Sequence, residues 1–378
     1  MNVLGLMSGT SADGIDAVLV KFTGNCRHPK WKLINHISKD YPKELKERIL
    51  KVSQGMKLSS SEWLDFSEDI TNEHANVALE CDPNQSSDLV GCHGQTVWHR
   101  PPTEGKLGGS LQVIQGPFLA RLLNRKVIYD FRSLDLALGG QGAPLVPLVD
   151  EALIGRANNW QAILNLGGIA NLTFIPPISG PESMAKVFGW DCGPANTLID
   201  FAVQNITDGF MSFDKDGLIA SSGKPDEDII KKWLKEDFFH ILPPKSTGRE
   251  QFGLIDLQDR LKDMAYLCHS DQIATLSAFT ASIIAQDLNN LYLRESIRPV
   301  KLIISGGGSQ NKFVIQQLIS RCKGMIISNI EEIGIPYSAR EALSFALLAW
   351  WNVNKYQSDL PLITGAFQST VLGISASI

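Results

Sequence analysis

V-L-G-L-M-S-G-T-S-A-D-G-I-D-A-V-L-V, residues 3–20, is the stretch whose reading decides the fold. A short apolar strand runs into a Gly/Ser/Thr turn carrying Asp13 and Asp16, and a second apolar strand leaves it. Glycines at such a turn let backbone N–H groups approach phosphate oxygens with no side chain in the way, while Ser8, Thr10 and Ser11 supply hydroxyl donors. Taken alone, the stretch reads equally well as an ordinary hairpin turn. The pattern recurs at 163–174, I-L-N-L-G-G-I-A-N-L-T-F, again strand, Gly-Gly turn, strand. Two phosphate-type hairpins in one chain predict two similar halves facing one ligand. A third glycine turn, L-I-I-S-G-G-G-S-Q-N at 302–311, ends a β-rich run at Gly306, Gly307 and Gly308. Strand ends of this kind are where open α/β sheets bind ligands.

Composition narrows the class. The chain has 378 residues, 44% hydrophobic and 20% charged, a size and balance that fit two ordinary globular domains. Net charge is −5, with no Lys/Arg stripe or basic tail, which argues against a nucleic-acid partner. No apolar run approaches the ~20 residues of a membrane span. The start of the sequence runs straight into a strand without a basic leader or cleavage site, so a cytoplasmic location is expected. Cys26, Cys81, Cys92, Cys192, Cys268 and Cys322 show no C-x-x-C spacing and read as reduced, mostly buried thiols rather than a zinc site. Cys192 has no apparent base partner, so packing explains it better than nucleophilic work.

Strand and helix patterns alternate. A strand is expected at 31–37, helices at 43–52 and 61–80, a short buried strand at 89–92, a helix at 115–123 and a strand at 127–129. The segment L-G-G-Q-G-A-P-L-V-P, 138–147, is the expected domain boundary, because its glycines and prolines break both helix and strand. The expected division is 1–133 with 345–378, and 134–344. Beyond the second hairpin, helices are predicted at 197–204, 227–235, 272–293 and 338–352. On the third of these, Ile273, Leu276, Phe279, Ile283 and Ile284 share a core face.

Several polar groups stand where chemistry is expected. Asp191, in G-W-D-C-G-P-A-N, sits at a strand end ahead of a helix. It reads as a general base or as a helix N-terminal cap. His93, Gln95 and Thr96 follow a buried strand and can hydrogen-bond sugar hydroxyls, with Trp98 available to stack on a sugar face; His99 reads as a loop residue. Asp130 and Arg132 end the next strand, and Arg132 can grip a carboxylate bidentately or form a hinge ion pair. Glu341 opens the last helix beside an apolar run, as a favourable first-turn acid or a site residue. The loop 243–250, P-P-K-S-T-G-R-E, reads by default as a solvated turn.

Seven blocks in order carry a resemblance that covers nearly the whole chain: G-L-M-S-G-T-S-A-D-G-I-D (5–16), H-G-Q-T-V-W-H (93–99), D-F-R-S-L-D-L-A-L-G-G-Q-G-A-P-L-V-P (130–147), N-L-G-G-I-A-N (165–171), D-C-G-P-A-N (191–196), S-T-G-R-E (246–250) and S-G-G-G (305–308). With them the sequence resembles the anhydro-N-acetylmuramic acid kinases, a branch of the sugar kinase, heat-shock chaperone and actin superfamily. The resemblance implies an α/β fold of two ribonuclease H-like, actin-like ATPase domains with ATP in the cleft between them. Gly9, Thr10, Ser11, Ala12, Asp13, Gly14, Ile15 and Asp16 would form the first phosphate loop, Asn165, Gly167 and Gly168 the second, and Gly306, Gly307 and Gly308 would lie near the adenosine. His93, Gln95, Thr96, Asp130, Arg132 and Glu341 would face the sugar.

The family opens the anhydro bridge of 1,6-anhydro-N-acetylmuramic acid and phosphorylates the freed oxygen, and Asp191 matches its base. Many sugar kinases of this fold carry an aspartate two residues before the loop glycine, where Met7 and Asn165 stand here. Mg2+ must therefore be organised differently, with Asp13 and Asp16 the candidates, directly or through water. The implied partners are the amino sugar, ATP and a second copy of the chain. Two other activities compete: a simple sugar hydroxyl kinase without ring opening, and a non-catalytic ATP-driven clamp.

Overall fold

In the computed structural model, which describes residues 1–9, 12–100, 102–243, 245–248 and 251–378, the opening stretch forms a hairpin. Strand β1 (Asn2–Ser8) pairs antiparallel with β2 (Gly14–Gly24), with Met7 opposite Asp16. Strand β3 (Pro29–Asp40) continues antiparallel beside β2, while β4 (Leu89–Arg100) runs parallel to β1. Strand β5 (Gly109–Val113) folds back on the far half of β4, and β6 (Lys126–Tyr129) lies parallel to its near half. Farther along the chain come β7 (Gln161–Leu166), β8 (Ile169–Ile175), β9 (Phe188–Pro194), β10 (Lys301–Ser305) and β11 (Ile326–Asn329), and β12 (Ile374–Ala376) returns to pair with β6.

The chain divides into two units, Met1–Gly155 with Ser338–Ile378, and Arg156–Tyr337. The first sheet has the order β12-β6-β4-β1-β2-β3, and the second has β11-β10-β7-β8-β9. In the second, β7 and β8 form the antiparallel hairpin, β9 extends it, and β10 and β11 run parallel to β7. The path β6-β4-β1-β2-β3 is thus repeated with the same strand directions, the order of a ribonuclease H-like domain, and the mixed α/β, two-domain ATPase architecture stands.

Strand β1 is buried on both faces, which is why it reads as a nearly continuous apolar run. Leu4 and Leu6 join Phe66 and Ile70 of the helix Ser60–Cys81, whose start carries a reciprocal Ser59–Glu62 capping box. The opposite face receives the helix Arg340–Val353, and contact is close because Gly5 and Gly91 carry no side chain. A Cβ at either glycine would overlap the carbonyl oxygen of Ala342 or Phe345.

Segment 138–147 belongs within the first unit, as do residues 134–155 and 338–344, which the sequence assigned to the second half. Its glycines serve a different purpose from linking. Asp135, fully buried, accepts the Gly142 N–H (2.7 Å) and the Thr364 hydroxyl (2.5 Å), so the loop wraps a carboxylate inside the unit. Strand β4 runs to Arg100 rather than stopping near Cys92, because β5 pairs with it from Gln95 onward.

The second unit is organised on the helix His269–Glu295, on which Ile273, Leu276, Phe279, Ile283 and Ile284 are buried as the periodicity predicts. Trp190 stacks on Phe174 and Phe188 in the same unit. Among the described residues no helix is long and apolar enough to cross a membrane.

Candidate active site

In the first unit, Gly9 follows β1 directly, and the Ala12 N–H returns to its carbonyl (3.2 Å), with Ala12 itself left-handed at φ 56°. Thr10 and Ser11, expected to donate to phosphate, lie outside the described residues. The Gln95 amide donates to the Gly9 carbonyl at 2.8 Å and to the Thr96 carbonyl at 2.9 Å, so it braces this turn, while its buried Oε1 has no partner among the described residues. Thr96 accepts a hydrogen bond from Gln112 at 3.1 Å. Asp13 is exposed and paired with Lys46 at 3.0 Å. Asp16 is half-buried on β2, accepts from the Ser38 hydroxyl, and is pushed up in pKa by burial.

His93 is buried at the heart of β4. Its Nδ1–H donates to the Gly94 carbonyl (2.8 Å), leaving Nε2 to accept from Arg132 at 3.0 and 3.1 Å. Burial, then the adjacent guanidinium, holds this imidazole well below its usual pKa, so it is neutral with a defined tautomer. Arg132 spends a further donor on the Gly142 carbonyl (2.7 Å), and burial lowers its own pKa to about 10 against the pull of Glu341 and Asp135.

Glu341 is raised first by burial and also by Asp16, with Arg340 and Arg132 opposing. Arg132, Asp16 and Glu341 therefore share one electrostatic neighbourhood, beside His93. Asp130 instead turns back on Ser133, accepting its N–H (3.1 Å) and hydroxyl (2.6 Å). His99 meets the Ser110 hydroxyl at 3.1 Å, and Trp98 is exposed.

His74 escaped the sequence reading, and Ser8, read there as a hydroxyl donor to phosphate, is buried with its hydroxyl turned inward. Ser8, at the end of β1, lies 3.0 Å from the Gly94 carbonyl and 3.2 Å from Nε2 of His74, which is fully buried. The His74 Nδ1–H donates to the Ile70 carbonyl (2.8 Å), and burial lowers the ring to about 4. The ring is thus neutral, and the Ser8 proton is shared between two acceptors directly behind the first turn. A lone histidine inside an amphipathic helix gave no signal of this.

In the second unit, the turn between β7 and β8 and the end of β10 come together. The carbonyls of Gly167 and Gly168 accept the N–H groups of Asn196, Ala195 and Thr197 at 2.9–3.1 Å, where the helix Asn196–Ile206 begins. Ser305 reaches the Asn165 side chain (3.4 Å), and Asn196 donates to the Leu166 carbonyl (3.0 Å). A Cβ at Gly306 would lie 2.7 Å from Asn165 Oδ1, whereas one at Gly307 would meet nothing within 4 Å. The Gly307 backbone therefore borders open space just past the end of β10, a strand end of the kind where open α/β sheets bind ligands.

Asp191 is buried on β9, and it does not cap the following helix, whose N-cap is Ala195 with no side-chain bond. The pairing of β8 with β9 shifts between Asn171–Asp191 and Ala170–Gly193, so Cys192 is bulged out of the ladder. Bulges re-aim side chains near sites. The Asp191 N–H donates to the Lys245 carbonyl (3.1 Å), and its Oδ2 accepts the Thr247 N–H (3.1 Å). The loop expected to be a solvated turn is thus tied to the candidate base, although Arg249 and Glu250 lie outside the described residues. Among the described residues no three His, Cys, Asp or Glu side chains cluster to hold a metal.

The model of the family "Anhydro-N-acetylmuramic acid kinase" matches residues 1–377. The relative of that name from Prochlorococcus marinus (strain MIT 9313) is 56% identical over 376 residues, covering 100% of this chain and 99% of its own. Those from Synechococcus sp. (strain CC9902) and Parasynechococcus marenigrum (strain WH8102) are 53% and 48% identical, each with 99% of both chains covered. With two repeated phosphate-type hairpins, a bulged strand presenting Asp191 and this match along its whole length, the chain belongs to the anhydro-N-acetylmuramic acid kinase family.

Proposed function

We propose that the protein carries out its family's reaction with Asp191 as the base, water opening the anhydro bridge of 1,6-anhydro-N-acetylmuramic acid while the freed oxygen takes the γ-phosphoryl group of ATP. As a member of that family the protein is an ATP-using kinase of murein recycling. The products are N-acetylmuramic acid 6-phosphate and ADP. Water attacks the anomeric carbon, the bond from that carbon to the oxygen at position six breaks, and that oxygen bonds to phosphorus as ADP departs. Asp191 accepts the proton of the water. One base suffices because phosphorus captures the leaving oxygen, so no carboxylate pair is required.

The observation that carries the assignment is the buried Asp191 carboxylate, oriented by the Thr247 N–H on a bulged strand five residues before the helix start that engages the Gly167–Gly168 turn. The glycine turns, including Gly9, Gly14, Gly167, Gly168 and Gly307, offer backbone N–H groups to the triphosphate. Arg132 and Glu341, with neutral His93, suit the sugar with its carboxylate and hydroxyls. Mg2+ ordinarily takes one or two carboxylates plus phosphate oxygens and waters, so the half-buried Asp16 fits such a role better than solvent-facing, Lys46-paired Asp13. The ion would neutralise charge on the transferring phosphoryl group. A cytoplasmic location and a homodimer complete the proposal, and light scattering on the purified protein tests the latter.

A coupled ATPase assay on wild type and Asp191→Asn, with 1,6-anhydro-N-acetylmuramic acid and N-acetylmuramic acid as separate substrates, tests the reaction. Turnover restricted to the anhydro sugar and lost in the variant is expected. Equal turnover of the open sugar overturns ring opening in favour of a hydroxyl kinase, and ATP consumption independent of sugar overturns both in favour of a clamp.

A further inference from the structure

The Lys245 side chain is 2% exposed, and its Nζ lies 3.2 Å from Oδ1 of Asp287, itself 8% exposed, on the helix His269–Glu295. The other Asp287 oxygen accepts the Trp190 indole N–H at 2.8 Å, and the Cys192 thiol also hydrogen-bonds this carboxylate. The Lys245 ammonium further sits 5.0 Å from the centre of the Phe238 ring. Thus Asp287 is bound to the residues on either side of Asp191 and to the loop that grips Asp191. Among the described residues that grip includes the Lys245 carbonyl on the Asp191 N–H and the Thr247 N–H on the Asp191 carboxylate, both 3.1 Å.

Removing two charges from water is unfavourable, and a buried ion pair seldom stabilises a fold better than apolar side chains of the same volume. What the pair supplies that a leucine and a methionine would not is a fixed spacing between the helix, strand β9 and the 245–247 backbone. Lys245 reaches inward from the loop, and two residues later the chain presents the N–H that orients the carboxylate.

We propose that Lys245 and Asp287 are positioning residues of the reaction, an internal clamp that holds the 245–247 backbone so that the Thr247 N–H fixes the Asp191 carboxylate. The inference rests on Asp191 being the base. It predicts a specific kinetic signature: loss of kcat with substrate affinity kept, because misplacement of a reacting group by about 1 Å lowers rate on the order of 100-fold.

The experiment compares Lys245→Met, Lys245→Arg, Asp287→Asn, Asp191→Asn and the double variant Lys245→Met/Asp191→Asn, using ATP and 1,6-anhydro-N-acetylmuramic acid with thermal melts alongside. Lys245→Met and Asp287→Asn should lower kcat by about 10- to 100-fold, with both KM values within about threefold of wild type. Lys245→Arg should recover most of the loss, and Lys245→Met should add nothing in the Asp191→Asn background, since both act through one group. Wild-type kcat in folded Lys245→Met, or further loss in the double variant, overturns the clamp. Full activity of Asp191→Asn instead overturns the base assignment, a separate outcome. Should Lys245→Met fail to fold, Trp190→Phe removes one donor to Asp287 while keeping the aromatic stack. It is expected to lower kcat at unchanged KM, and unchanged kcat there overturns the proposal.

Discussion

Gly306, Gly307 and Gly308 are adjacent, yet the structure gives each a different consequence when a methyl group is added. At Gly306 the new Cβ would lie 2.7 Å from Asn165 Oδ1, and at Gly308 it would lie 2.7 Å from Leu166 Cβ and 2.8 Å from Asn196 Oδ1. At Gly307 it would meet nothing within 4 Å, and the backbone there has no positive φ to strain. Gly307→Ala should therefore leave folding stability within about 0.5 kcal/mol of wild type. If the nucleotide rests against this backbone, the same methyl group intrudes on it, and overpacking of a close contact costs about 1–3 kcal/mol. That range corresponds to about 5- to 150-fold in affinity. Calorimetric titration with a non-hydrolysable ATP analogue, with a thermal melt of the same sample, reads both quantities. A dissociation constant raised at least about fivefold at a Tm within about 2 °C of wild type is expected. An unchanged constant refutes the assignment of this turn to the nucleotide, and a large fall in Tm refutes the open space around Gly307. Gly308→Ala, which strikes Leu166 and Asn196, should lose stability and affinity together.

Gly5→Ala would overlap the Ala342 carbonyl and lie 2.9 Å from Ala346 Cβ, so a loss of about 1–3 kcal/mol is expected, with a raised sugar KM because Glu341 is in the displaced turn. A wild-type Tm there contradicts the close approach of that helix. His74 is neutral in the fold with a pKa of about 4, against a usual 6.5, so the unfolded chain binds the extra proton first as pH falls. Its contribution is intact above pH 6.5 and is lost as pH falls toward 4, the loss reaching about 2 kcal/mol at pH 5. Urea unfolding at pH 7 and pH 5 should show that extra loss in wild type and not in His74→Gln, and equal slopes refute it. Arg132→Lys replaces a fork that serves both His93 and the Gly142 carbonyl with one ammonium, so sugar KM should rise about tenfold or more while the KM for ATP holds. An unchanged sugar KM removes Arg132 from the sugar site.

Legibility followed the range of the interactions. The β1–β2 and β7–β8 hairpins were readable because turn residues and flanking apolar strands are contiguous. The helix His269–Glu295 was readable because its core residues recur at helical spacing. The boundary was misread because glycine and proline signal a break in regular structure whether the loop links two units or wraps a buried group. Only packing brings Thr364 to Asp135 and makes 138–147 interior to its unit. The polar run 93–99 was similarly read as following the strand rather than continuing it, with His99 in a loop, since its strand character comes from pairing with β5.

The sequence by itself determined the class of protein, the two glycine hairpins, the third glycine turn and the identity of the aspartate proposed as base, since each is written in residues close together along the chain. The tertiary structure alone decided how those groups are held. Asp191 is met by an N–H 56 residues away, Lys245 by a carboxylate 42 residues away, and Ser8 by a histidine 66 residues away. Hydrogen bonds and ion pairs need only a few ångströms in space and carry no constraint on separation in sequence, so local pattern is silent about them until the helices and sheets have packed.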